Sequence, residues 1–334
     1  MKAKSLFIGL LVMVFIPILT LSSPAEGAEF KIIYGSEMPE KHVTSKAAIW
    51  MADEMQKRSK GRIEVVNYFG GAIGRAVEML DGVKSGDIDI VFFHPAHFSR
   101  AGIKPMSIIS VSYLLKDLAH YKKVFAKNST PTKLMAKYVE KSPLDMKFLG
   151  MIGGIARQLF NSKRPINTPD DLKGLKIRVI KSPIEAKVWS ALGAIPVQLS
   201  WSEIYTGLQT GVVQGAECSI DSYFVMKFNE QAQHFAFTNH QFVAMPLVMS
   251  KKNFNKMPPD LQKVVLDVGY ETAELSSKLY NESQKNLVNQ AKAKGIKFSY
   301  PDTELFKAKV AQIMKTAATD YNAQDLFKAI NDLR

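Results

Sequence analysis

Along the chain, short apolar runs of period two alternate with longer stretches of period three to four. Phe30-Lys31-Ile32-Ile33-Tyr34 reads as a strand ending at Gly35-Ser36. His42–Ser59 follows with apolar residues at Ala47, Trp50, Met51 and Met55 and a stop at Gly61, the spacing of an amphipathic helix. Arg62–Tyr68 alternates again, a Gly70-Gly71 turn leads to a helix over about Arg75–Lys84, and Ile88–Phe93 is a third apolar run. Strand and helix in this alternation predict crossover units feeding a mostly parallel sheet.

The second half repeats the style. Met146–Ile152 predicts a strand bounded by Gly153-Gly154, a place for the chain to cross between domains. Thr168-Pro169-Asp170-Asp171 carries a capping hydroxyl, a first-turn proline and acids at the positive end of a helix dipole. Strands are then expected at Leu175–Ile180, Pro196–Leu199 and Gln214–Cys218, with helices at Ser182–Leu192 and Ser202–Gln209. Ser202 is expected to cap the latter helix, with Trp201 stapling its entry. About Pro258–Lys294 is helical in pattern, with Gly269 as its single internal glycine. That length predicts one helix running across two lobes.

The first residues are of another kind. Lys2 and Lys4 precede an apolar run from Leu6 to Leu21 broken by Pro17, and Ser22–Ala28 is rich in small residues. This is the layout of a secretory signal peptide, with cleavage expected near residues 25–28. The run is shorter than the roughly 20 residues a spanning helix needs, although a retained anchor is the alternative. An exported, periplasmic product is expected.

Composition then narrows the class. Of 334 residues, 46% are hydrophobic, which excludes a disordered chain, and the length suits two domains. The formal charge of +13 is spread along the chain, so it argues for weak steering toward anions rather than a nucleic-acid groove. Cys218 is the single cysteine, which excludes a disulfide framework and a cysteine-rich zinc site. No dinucleotide loop, Walker loop, HExxH or GxSxG motif is present, so neither cofactor nor metal is expected and binding is favoured over catalysis.

The candidate chemistry is sparse. His94-Pro95-Ala96-His97 places polar groups at the exit of an apolar strand, where open α/β sheets bind ligands, and favours a structural or substrate contact over a metal. Arg157 follows the glycine bend, and Arg178 sits mid-strand as either a solvated residue or a fork aimed into a cleft. A guanidinium fork supplies two charge-assisted hydrogen bonds to a carboxylate. Trp201 caps a helix entry, walls a pocket, or both; Glu217 and unpaired Cys218 end a strand; Asn239-His240 reads as a capping or hydrogen-bonding pair.

In order, Ser45–Ala48, Gly61–Val65, Gly70–Gly74, Ser85–Asp89, Asn161–Ile166, Asp171–Val179, Trp201–Tyr205, Gly211–Glu217 and Thr238–His240 resemble the substrate-binding proteins of tripartite ATP-independent periplasmic (TRAP) transporters, the DctP-type family. The resemblance covers nearly the whole mature chain. It implies a two-lobed α/β clamshell: a signal peptide over 1–27, lobe I over 28–152 with a return at about 245–275, lobe II over 153–244 with part of the C-terminal region, and a lobe-spanning helix over 258–295. It implies that Arg178 pairs with a substrate carboxylate, that Arg157 is a second cleft arginine, and that Trp201 lines the pocket. His94 stands where the sialic-acid-binding branch has a cleft glutamate, and Cys218 where that branch has an asparagine. That departure implies a smaller or more aromatic, less hydroxylated acid, walled by Trp201, Phe93 and Phe242. The expected partners are an organic acid anion and the small and large membrane subunits of an ion-gradient-driven transporter, the protein itself being a monomer. Alternatives are the binding protein of an ATP-driven importer, a sensory protein, or a secreted enzyme using His94, His97 or Cys218.

Overall fold

The computed structural model describes residues 27–334, so the expected signal peptide lies almost wholly outside the described residues. The strands are β1 (Phe30–Gly35), β2 (Ile63–Tyr68), β3 (Ile90–Phe92), β4 (Met146–Asn161), β5 (Lys176–Val179), β6 (Ile195–Gln198), β7 (Gly215–Cys218), β8 (His234–Ser250) and β9 (Lys297–Ser299). The helices are α1 (Val43–Arg58), α2 (Ala76–Ser85), α3 (Pro95–Arg100), α4 (Leu118–Val124), α5 (Thr130–Glu140), α6 (Pro183–Ala191), α7 (Ile204–Gln209), α8 (Ile220–Val225), α9 (Lys251–Phe254), α10 (Pro259–Ala293), α11 (Thr303–Asp320) and α12 (Gln324–Asn331).

All nine strands form one sheet, ordered β2-β1-β3-β8-β4-β7-β5-β6 with β9 beside β8. β1 pairs in parallel with β2 and β3, and β5 in parallel with β6 and β7. Between these two parallel groups run β4 and β8, antiparallel to each other and to their other neighbours β7 and β3. Each parallel group with its helices makes one lobe, and the long pair β4–β8 belongs to both. The expected sheet is therefore parallel in each lobe and antiparallel at its centre.

Two local expectations need correction. β4 does not stop at Gly153-Gly154; it continues to Asn161, with register shifts against β8 where the glycines lie. Gly153 has φ +142° and a Cβ there would sit 1.9 Å from the Val243 carbonyl oxygen, so glycine lets the two backbones cross closely. β8 was not expected as a strand at all. Asn239-His240 lies inside it, with Asn239 at φ +45° making a bend that asparagine tolerates.

α10 is 35 residues long, about 50 Å. It packs against β4, against α1 in the first lobe and against α8 in the second. It approaches β4 closely at Gly269, where a Cβ would meet Leu149 Cβ at 2.8 Å. The first lobe buries Met51, Met55, Ile90, Leu247 and Val265 together, and the second buries Phe160, Tyr223, Phe228 and Phe235. No described helix is long and apolar enough to cross a membrane.

Candidate functional site

The C-terminal ends of the parallel strands in the two lobes face one another, and the space between them is a cavity of about 400 Å³. Ser36, Met38 and His42 reach it from the end of β1, Phe93, His94 and His97 from the end of β3, Arg178 and Ile180 from β5, and Cys218, Ser219 and Ser222 from the end of β7. Val243 and Met245 of β8, Arg157 of β4, Trp201 and Tyr280 also line it, as do the polar residues Glu37, Arg75, Glu78, Lys181, Gln198, Ser200 and Glu203. Its volume falls in the range of small-molecule sites, and its position follows the rule that open α/β sheets bind at the carboxyl ends of their strands.

Arg178 is 3% exposed, because β5 lies between β6 and β7 with both faces covered. Its Nε donates to the Leu199 carbonyl oxygen at 2.9 Å, and its guanidinium carbon lies 5.8 Å from the centre of the Trp201 ring. No carboxylate pairs with it and its terminal nitrogens make no hydrogen bond among the described residues, and the residue lines the cavity. Burial pushes its pKa down, Glu217 and Glu185 push it back up, and nearby Arg157 pushes it down again. A guanidinium nevertheless stays charged in proteins.

Arg157 differs. It is equally buried, but Glu217 takes both its Nε and, at 2.6 Å, one terminal nitrogen in a bidentate pair. Burial alone would raise the Glu217 carboxyl, yet Arg157 and His240 outweigh it and hold the group well below the usual carboxylate range. His240 Nε2 lies 3.4 Å from Glu217 Oε2. The second cleft cation thus arrives already neutralised.

Two further pairs join the lobes. His94 accepts from the Ala96 N–H at Nδ1, 3.3 Å, which puts its proton on Nε2. That nitrogen lies 3.2 Å from Glu185 Oε1 of α6, without good hydrogen-bond alignment. Burial pushes the Glu185 carboxyl up to about 8, with Glu217 adding to the effect and Arg157 and Arg178 opposing it. Burial holds His94 well below the ordinary imidazole value, and His97 is pushed down to about 4 by burial, helped by Arg100 and Arg178. Both rings are neutral near pH 7. On the other side, His42 Nε2 hydrogen-bonds the Ser222 hydroxyl of α8 at 3.0 Å and lies 3.0 Å from Asp221 Oδ1.

The cavity brings together Arg178, Arg157, His94, Trp201 and Cys218 of the residues singled out in the sequence. It does not include Phe242, which β-strand alternation turns to the other face of β8, where it stacks on Tyr121 with ring centres 5.9 Å apart. Glu217 stands behind the wall, holding Arg157. Trp201 is not stapled before a Ser202 cap: Ser200 is the cap, its N–H donating to Glu203 at 2.8 Å, which puts Trp201 in the first turn. Sequence reasoning missed Glu185, which reads as an ordinary first-turn acid after the Ser182 cap. It also missed Tyr280, which looks like one apolar position of a long helix.

Two lobes on one sheet, a spanning helix, and a buried cation facing the cleft define a solute-binding protein of the clamshell class. The DctP family, described as bacterial extracellular solute-binding protein, family 7, matches residues 34–320, and the chain belongs to it. It is 30% identical over 316 residues to a solute-binding protein of Sulfitobacter sp. NAS-14.1, covering 93% of this chain and 94% of that one. It is 27% identical over 341 residues to the 2,3-diketo-L-gulonate-binding periplasmic protein YiaO of Escherichia coli K12, covering all of both. The fold matches that of a TRAP periplasmic solute-binding protein from Sulfitobacter sp. NAS-14.1 with bound β-D-galacturonate, at a TM-score of 0.84 and 22% identity, over 90% of this chain and 99% of that one. The chain is thus a solute-binding protein of the DctP family rather than an enzyme.

Proposed function

We propose that this protein captures an organic carboxylate anion in the periplasm and hands it to the small and large membrane subunits of an ion-gradient-driven TRAP transporter. The observation that carries the reading is Arg178, buried, facing the cavity and unpaired with any carboxylate among the described residues. A buried charge without a counter-charge is costly. A ligand carboxylate would remove that cost with two charge-assisted hydrogen bonds, each worth on the order of 1.5–3 kcal/mol. Trp201 would hold the guanidinium plane from behind, with Arg157 and His94 beside the ligand.

Because the wall comes from both lobes, a ligand touching Arg178 on one side and Phe93 or His94 on the other favours the closed arrangement by its own binding energy. The first residues would direct export and be removed near residues 25–28, and the mature protein would act as a monomer. Relatives support an acidic ligand, since their names and bound molecules are diketogulonate and galacturonate. The test is a thermal-shift screen of wild type and Arg178→Ala against a library of organic acids. A ligand at 100 times its dissociation constant adds roughly 2.7 kcal/mol of stability. The expected result is a shift with wild type that the variant loses; a library without effect on wild type would sink the reading.

A further inference from the structure

Resting on the carboxylate reading, in which Arg178 holds the ligand from the second lobe, the hold from the first lobe can be traced to one histidine. Three histidines line the cavity, all of them from the first lobe: His42, His94 and His97. Two are already engaged. His42 Nδ1 lies 2.7 Å from the Thr44 hydroxyl and 3.2 Å from the Thr44 N–H, and its Nε2 bonds the Ser222 hydroxyl. His94 Nδ1 accepts from the Ala96 N–H at 3.3 Å, and its Nε2 lies 3.2 Å from Glu185 Oε1. His97 is in another situation. Neither of its ring nitrogens has a hydrogen-bond or ion-pair partner among the described residues, and neither is sealed away from the cavity that the residue lines.

The local chain holds this ring in place. Pro95 opens α3 behind the His94 cap, and Phe98, fully buried, pins the helix to the core of the first lobe. Neighbouring residues of a helix are about 100° apart, so with Phe98 turned inward His97 is turned toward the cleft. The Ser107 hydroxyl donates to Ser99 at 2.6 Å and ties α3 to the turn at Lys104–Ser110. The His97 ring lies 5.8 Å from that of Phe93, which restricts its rotation. Burial, Arg100 on the same helix and, from across the cleft, Arg178 push the ring down to about 4, so it is neutral near pH 7. A neutral imidazole carries one N–H, and with both nitrogens unpaired either can present it.

We propose that His97 is the first lobe's polar contact to the ligand, donating a ring N–H to the carboxylate that Arg178 holds from the second lobe. The acid group is then shared between the lobes, and the hydrogen bond from His97 forms only when they are closed around it. Closure is thereby tied to the carboxylate itself and not to the body of the molecule behind it. The engaged His94 ring has no nitrogen left for this contact, and Phe93 offers apolar surface only. The ordered pair of rings, Phe93 against His97, limits the freedom lost when the bond forms.

The test is calorimetric titration of wild type, Arg178→Ala, His97→Phe and His97→Gln with pyruvate, succinate, D-glucuronate, D-galacturonate and any further acid that the thermal-shift library yields. Phenylalanine keeps a ring against Phe93 without an N–H, and glutamine restores a donor. For each acid whose binding depends on Arg178, His97→Phe is expected to weaken affinity at least fivefold and His97→Gln to bind more tightly than His97→Phe. Unchanged affinity in His97→Phe overturns the inference and leaves the carboxylate reading in place; absence of Arg178-dependent binding throughout removes both. A measurement on wild type alone covers the case of a variant that does not fold. Diethylpyrocarbonate carbethoxylates unpaired neutral imidazoles, and fragment mass spectrometry locates the modified rings. Of the three cavity histidines His97 is expected to react first, and a saturating acid to slow its reaction at least tenfold. Reaction of His42 or His94 ahead of His97, or no protection by a bound acid, overturns the assignment.

Discussion

Arg178 and Trp201 are held together at the cavity wall, the guanidinium carbon 5.8 Å from the centre of the indole ring, while Arg178 Nε is tied to the Leu199 carbonyl. The two contacts restrain the fork before any ligand arrives, so less freedom is lost on binding. Arg178→Ala is expected to weaken binding of whichever acid the screen identifies by at least tenfold, about 1.4 kcal/mol. Arg178→Lys keeps the charge but not the fork, and its affinity should fall between the two. Calorimetry on variants with unchanged far-UV spectra checks both, and full affinity in Arg178→Ala would remove the clamp.

The Arg157–Glu217 pair serves the fold. Glu217→Gln leaves a buried guanidinium without its counter-charge, for which the expected loss is about 3–5 kcal/mol of unfolding free energy. Replacing both partners by apolar residues, Arg157→Met with Glu217→Leu, should cost less than the single change. Urea denaturation measures both, and a single-variant loss below about 1 kcal/mol would mean that the pair is weak.

Glu185 gives stability a pH dependence of definite sign. In the folded state its carboxyl titrates at about 8, against an ordinary 4.5. Between those values the folded chain holds a proton that the unfolded chain has released. The stabilisation linked to this group is therefore complete below about 4.5 and lost as pH rises to 8. His94 and His97 run the other way: held neutral by burial, they contribute fully above 6.5 and lose that contribution as pH falls, for His97 toward about 4. Glu185→Gln should melt higher than wild type at pH 8 and show no such advantage at pH 4.5. Ionised Glu185 also competes with a ligand for the field of Arg178, so affinity should weaken above pH 8 in wild type and not in the variant. Parallel melting curves and titrations at the two ends of that range check both statements.

At the crossing of β4 and β8, Gly153 has no room for a side chain, its added Cβ falling 1.9 Å from the Val243 oxygen at φ +142°. Gly153→Ala is expected to cost more than about 3 kcal/mol. Gly174→Ala is the control: it has φ +76° but nothing within 4 Å of the added atom. It should lose only the left-handed penalty of about 1–2 kcal/mol. Equal losses in urea denaturation would mean that steric crowding at the crossing is not the cause.

Much of this protein was legible in its residues because the causes are local. The crossover strands and helices carry their own periodicity, and β1, α1, β2, α2, β5 and α6 lie within a few residues of where the pattern predicts them. The length of α10 could likewise be read from an uninterrupted pattern. β8 could not. Its backbone bonds go to β3 and β4, far away in sequence, and its Thr238-Asn239-His240 bend and Pro246 obscure the alternation. The same limit applies to the site. Two arginines could be named as candidates from their places along the chain, but a side chain's charge partner depends on which strands become neighbours. β7 beside β4 places Glu217 against Arg157 and neutralises it, whereas β5 between β6 and β7 buries Arg178 with no such partner. Local chemistry along the chain determined the lobes and the pool of candidates; contact between distant strands, which no local periodicity encodes, decided which of the two arginines at the cavity is paired with a carboxylate and which is not.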